Sequence, residues 1–258
     1  MVYGLEKFKE AFAAYTDNYV IIGGTACDAV LSGSSMRPRA TVDIDMIIIV
    51  EKMTAEFVDA FWNFIREGHY TNGKRKRGDK DPVYEMYRFS NPIHGYPVQI
   101  ELLARHSDLL GEPSGFHIEP LPTEEEQYSL SAIMLDEDYY QLTVTHSVII
   151  DGLRYASPVA LIGLKAKAYL NLKMEKALGH HVNTKDISKH RNDVLKLAAT
   201  MDADSPVSLA PAVTRTIQSY TADIRALFPS SSLRDALGVG DEQIESILDL
   251  LDDYFRTE

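Results

Sequence analysis

Asp43 and Asp45 stand two residues apart at the head of an apolar run, Met46-Ile47-Ile48-Ile49-Val50. A strand repeats every two residues, so both carboxylates project from one face. Like charges side by side repel, and nothing in folding alone rewards that placement. A divalent cation relieves the repulsion, and Mg2+ is commonly held by one or two carboxylates together with substrate phosphate oxygens. The unbroken apolar run behind the acids predicts a strand buried on both faces. Upstream, Val20-Ile21-Ile22 reads as a strand that halts at Gly23-Gly24. Paired glycines let a backbone turn through positive φ or approach a ligand closely. Thr25 is the expected cap of a helix from Ala26 to Leu31, which Gly33-Ser34-Ser35 ends. Amides at a helix start after a glycine turn attract phosphate. Arg37 and Arg39 add two cations before the acid pair.

Gly23-Gly24-Thr25 followed by Arg39-Ala40-Thr41-Val42-Asp43-Ile44-Asp45 resembles the GG/GS…R-x-[ST]-x-D-x-D signature of DNA-polymerase-β-type nucleotidyltransferases, in particular their AbiEii/MenT toxin-like branch. Phosphatases of the HAD type also carry D-x-D, but their acids close the strand, whereas here the apolar strand comes after them. The resemblance implies Mg2+, with Mn2+ as a substitute, on Asp43 and Asp45. It implies β/γ-phosphate contacts at Gly23, Gly24 and Thr25, and a triphosphate-orienting role for Arg39. Such enzymes carry a third acid on a neighbouring strand. Glu101, in Pro97-Val98-Gln99-Ile100-Glu101-Leu102-Leu103, matches that position best, although Asp is the usual residue. A solvent-facing glutamate is the competing account.

A second constellation lies downstream. Ser157-Pro158 opens a predicted helix to about Lys176, as N-cap and first helical residue. On it Lys165 shares a face with Leu161, Ile162, Ala168 and Tyr169. Burying an ammonium group is costly without an anionic partner. Snorkelling toward solvent is the plain alternative, and it suits Lys167 better. Beyond Gly179-His180-His181-Val182-Asn183, Thr184 is the expected cap of a helix with Lys185 and Asp186 in its first turn. An acid there suits the helix dipole in any protein. Leu164-Lys165…Lys185-Asp186 nonetheless resembles the L-K…K-D element of the same family branch, which implies an active-site pair of Lys165 and Asp186. His180, His181 and His190 have no zinc-like spacing with cysteine. His190 and Asp193 follow on the face after Asp186, as supporting or exposed residues.

Those elements sit in a chain of 258 residues, 45% hydrophobic and 25% charged, ordinary for a globular protein with one mixed and one helical domain. The expected division is residues 1–156 as an α+β catalytic domain on a mixed sheet of the polymerase-β nucleotidyltransferase type, and 157–258 as a helical domain completing the site. A single cysteine, Cys27, gives no disulfide framework, fits a reducing cytoplasm and reads as a small buried hydrophobe. No signal peptide is recognised, and no apolar run approaches the roughly 20 residues that span a bilayer. Cytoplasmic location without a membrane partner is therefore expected. A net charge of −12 argues against general coating of nucleic acid.

Residues 2–15 predict an amphipathic helix, and Thr54 caps a second one bearing Phe57, Val58, Phe61, Trp62 and Ile65. Residues 68–82 read as a solvated loop, with Lys74-Arg75-Lys76-Arg77 as the local patch an RNA acceptor would meet. Tyr84–Phe89 and Val98–Leu103 predict strands pairing across His94-Gly95. Residues 105–123 read as a long excursion, and 131–135 and 141–150 as strands about an acidic turn at Asp136-Glu137-Asp138. Ile149–Tyr155 reads as a closing hairpin, and residues from 205 onward as capped helices, one starting at Asp241.

The resemblance implies a nucleotidyltransferase that moves NMP from an NTP to a hydroxyl acceptor and releases pyrophosphate. In that branch the acceptors are tRNA 3′ ends or proteins, and many members are toxins paired with an antitoxin. Two other accounts stay open. One is adenylylation of an aminoglycoside-like small molecule, which an acidic cleft would welcome. The other is a weakly catalytic nucleotide-binding module, suggested by Glu101 in place of Asp.

Overall fold

The computed structural model describes residues 2–36, 41–75, 83–103, 136–202 and 205–257, with the backbone alone for the strand residues between 72 and 87. The chain divides into two units. The first comprises Met1–Ala29, Arg39–Gln127 and Ser147–Ala156; the second comprises Val30–Pro38, Tyr128–His146 and Ser157–Glu258. Among the described residues no helix is long and apolar enough to cross a membrane.

The first unit is built on a seven-stranded mixed sheet. Its strands are β1 (Tyr19–Ile22), β2 (Asp43–Ile48), β3 (Thr71–Arg75), β4 (Val83–Ser90), β5 (Gln99–Leu103), β6 (Ser147–Ile150) and β7 (Leu153–Ala156), in the spatial order β3-β4-β5-β2-β1-β7-β6. β2 pairs antiparallel with β1 and parallel with β5, and β1 pairs parallel with β7. The expected buried strand is β2, where Met46, Ile47 and Ile48 are shut off from water. One sheet face is covered by α1 (Leu5–Phe12) and α3 (Ala55–Glu67) through aromatic rings. Phe12 meets Phe64 at 5.2 Å between centroids, and Phe61 meets Phe89 at 5.6 Å. Each such pair contributes about 0.5–1.5 kcal/mol beyond area burial. Thr54 caps α3 as expected, its side chain accepting from Phe57 N. The residues expected as a basic loop enter β3, which pairs with β4. Lys76 and Arg77 lie outside the described residues, as do Arg37, Arg39, the 105–123 excursion and the 131–135 strand.

The second unit is helical. It contains α4 (Glu137–Thr145), α5 (Pro158–Ala177), α6 (Thr184–Ala198), α7 (Pro211–Arg225), α8 (Ser231–Leu237) and α9 (Asp241–Tyr254). A short parallel pair, β8 (Val207–Leu209) with β9 (Phe255–Thr257), was not foreseen from the sequence. Of the strand expected over 141–150, residues 147–150 are extended as β6, whereas 141–145 belong to a helix that begins at Glu137. Thr143, Val144 and Thr145 favour a strand, but Asp136 caps the helix by accepting from Asp138 N at 3.0 Å. Buried Tyr139, Tyr140, Leu142 and Thr143 then face the neighbouring helices. Gly163 admits that approach, because a Cβ there would lie 2.7 Å from Leu142 Cδ2 and 3.2 Å from Val213 Cγ1. The cap of α6 is Asn183, accepting from Lys185 N at 3.0 Å, so Thr184 is inside the helix and takes a bond from Lys176 Nζ instead. Ser157 does precede α5, but its side chain makes no cap bond. Gly240 precedes α9, and Asp241 is its first helical residue.

Candidate functional site

The polar face of the sheet, opposite the aromatic rings, is assembled by strand register. Asp43 pairs with Gln99 and Asp45 with Glu101 across β2 and β5. β4 continues both rows, Arg88 opposite Glu101 and Ser90 opposite Gln99. Residues in register share a face, so Arg88, Glu101 and Asp45 form one row, while Ser90, Gln99 and Asp43 form the next. All six are half-buried, and the residues between them, Ile44, Met46, Ile100, Leu102 and Phe89, point to the core. The alternation that makes β2 and β5 fold is thus what gathers Asp43, Asp45 and Glu101 on one side.

Helix α2 (Gly23–Leu31) closes the end of that face. It begins at Gly23 itself, two residues before the expected cap, so the glycines form its first turn instead of a preceding loop. Gly23 has φ +68°, and a Cβ built on it would lie 2.1 Å from Asp45 Oδ2. The glycine is therefore needed twice, for its backbone conformation and for room beside the carboxylate. The positive end of α2 meets an acid of the chain itself, a favourable contact. Thr25, expected as a cap and a phosphate contact, is buried and donates its hydroxyl to Asp43 O at 2.5 Å. That bond ties α2 to the head of β2 and fixes the first acid. Gly24 is also buried in this turn.

Glu101 is placed where a third acid would stand, next to Asp45, yet it is engaged already. Its Oε1 accepts from Arg88 Nε and, at 3.0 Å, from Gln99 Nε2. Sequence reasoning missed Arg88. The Arg88-Phe89-Ser90 alternation does mark it as outward, but only the strand register brings it opposite Glu101.

In the second unit Lys165 is 1% exposed, and its Nζ lies 2.7 Å from Asp193 Oδ2. The lysine on the apolar stripe therefore does have an anionic partner, and snorkelling is not its solution. That partner is Asp193, seven residues past the expected Asp186. Asp186 is exposed in the first turn of α6. Asp193 carries no such signal in the sequence, because of the residues three and four away, Lys189, His190, Lys196 and Leu197, only Leu197 is apolar. Lys167 lies 5.6 Å above the Tyr139 ring. His190 is buried, and His180 Nε2 approaches the buried Glu175 at 3.8 Å. Cys27 is buried, as expected.

Among the described residues no three His, Cys, Asp or Glu side chains are gathered into one group able to hold a metal. The acid face offers a pair, Asp43 and Asp45, with Glu101 turned to Arg88. Compared with family models, with curated proteins and with solved structures, the chain finds no match.

Proposed function

We propose that the chain is a divalent-metal-dependent nucleotidyltransferase, moving NMP from an NTP to a hydroxyl acceptor. The observation that carries this reading is the juxtaposition of Asp43 and Asp45 on one strand face with the first turn of α2, where Gly23 leaves no space for a Cβ beside Asp45. Two half-buried like charges are a poor stabilising choice, and they fit a divalent cation by donor type. Asp43 and Asp45 would hold Mg2+, or Mn2+ in its place. When bound, that ion supplies charge neutralisation and polarises a phosphate oxygen.

The chain's own residues do the rest. Thr25 fixes Asp43 through its carbonyl, and the buried run Met46–Ile49 holds β2 rigid behind both acids. The first-turn amides of α2 provide donors and a positive helix end for phosphate. In the reaction the acceptor hydroxyl oxygen bonds to the α-phosphorus and gives up its proton to solvent, the bond from that phosphorus to the α–β bridging oxygen breaks, and pyrophosphate leaves. The resemblance alone brings Lys165 and Asp186 into the reading. Lys165 Nζ lies 2.7 Å from Asp193 Oδ2, whereas Asp186 is open to solvent.

Incubation with each α-labelled NTP and Mg2+, with total tRNA, with protein or with neither, tests the reading. Label is expected in a macromolecular acceptor for one NTP, with stoichiometric pyrophosphate. NTP binding with no transfer to any acceptor would instead make the chain a nucleotide-binding module.

A further inference from the structure

We propose that Arg88 withholds Glu101 from metal binding, so that the acid face takes one divalent cation, on Asp43 and Asp45, and not two. The inference rests on the metal-binding reading of that face. Arg88, Glu101 and Asp45 stand in one row across β4, β5 and β2. A guanidinium is charged at every accessible pH. Placed opposite a carboxylate on the next strand, it both uses that carboxylate's lone pairs and repels any further cation. Glu101 Oε1 already receives two donors, Arg88 Nε and Gln99 Nε2. The residue opposite Asp43 on β5 is Gln99, a neutral amide that adds no charge to the site.

A purely structural account of the pair is weak. With Arg88 and Glu101 side chains 35% and 22% exposed, an ion pair of this kind contributes about 0–1 kcal/mol. Two-metal sites hold their ions about 3.5–4 Å apart and need acids that serve both. Here the third acid is turned to an arginine.

Mn2+ titration of the full chain without nucleotide, read by loss of the free-ion electron paramagnetic resonance signal, tests this. The wild-type chain should bind one Mn2+, and Asp43→Asn or Asp45→Asn should lose it. Glu101→Gln should keep one ion with affinity within about twofold, while Arg88→Met should bind a second ion or hold the first at least tenfold more tightly. Thermal melts of each variant confirm folding. Two ions on the wild type, a tenfold loss in Glu101→Gln, or an unchanged Arg88→Met would overturn the inference while leaving the metal reading standing. No Mn2+ on the folded wild type would overturn both.

Discussion

Asp43 and Asp45 lie half-buried with like charges on one strand face, whereas Lys165 and Asp193 are sealed from water with opposite charges 2.7 Å apart. The first arrangement sets two like charges side by side where solvent reaches them; the second pairs opposite charges inside the fold. Like charges held together cost stability and suit a divalent cation. Opposite charges paired in an interior hold helices together. Substitutions should therefore act with opposite balance in the two regions, on function in the first and on folding in the second.

The largest effect is expected at the acid pair. Asp43→Asn should reduce transfer at least about a thousandfold, roughly 4 kcal/mol of barrier, with the melting temperature unchanged or slightly raised as repulsion is relieved. Asp45→Asn should lose activity equally but give up about 0.3–1 kcal/mol of stability, because its charge also faces the N-terminus of α2. Single-turnover transfer and thermal melts at saturating Mg2+ measure both. Near-normal transfer by either variant would remove the acid face from the chemistry and dissolve the contrast.

Next is the buried pair. Lys165→Ala removes the cation that faces the buried Asp193 carboxylate, which costs about 3–5 kcal/mol. The double variant Lys165→Met with Asp193→Leu replaces the pair by apolar side chains and should recover most of that loss, since buried ion pairs are often no better than well-packed hydrophobes. Denaturation midpoints of the three proteins measure this. Transfer by the double variant then decides what Lys165 does. Activity restored along with the fold makes the pair structural, and a folded but inactive protein gives Lys165 the role its resemblance implies.

The same contrast explains how much could be read from the sequence. β2 was legible because two periodicities coincide in it, acids two apart and then an apolar run with no break, and the fold honours both. α3 was legible from its cap at Thr54 and its apolar spacing. Residues 141–145 of α4 were not, because Thr143, Val144 and Thr145 favour a strand, while the Asp136 cap and the approach of Leu142 to Gly163 on α5 reward a helix there. Lys165 stood out as a charge on an apolar stripe, but its partner could not be picked out. Asp186 and Asp193 lie on one helix two turns apart, and which of them meets α5 depends on how the two helices cross. Arg88 was hidden for a similar reason. Its opposition to Glu101 is a matter of register, set after an eight-residue connection from Ser90 to Gln99 whose length does not dictate it.

The smallest expected effect separates close contact from backbone conformation. Gly23 and Gly33 both have positive φ, +68° and +83°, but a Cβ on Gly33 meets nothing within 4 Å, while one on Gly23 would lie 2.1 Å from Asp45 Oδ2. A left-handed backbone costs an alanine about 1–2 kcal/mol at either position. Gly33→Ala should lose that much stability and leave Mn2+ affinity untouched. Gly23→Ala should lose at least as much and, because the Asp45 carboxylate must move to admit the methyl group, should weaken Mn2+ binding as well. Melts and Mn2+ titrations on the two variants side by side make the comparison. Equal Mn2+ affinities would mean that Asp45 moves without consequence, and that the glycine turn serves the backbone of α2 alone. A selective loss in Gly23→Ala would tie the turn to the acid it shelters, so that the start of α2 and the head of β2 act as one site.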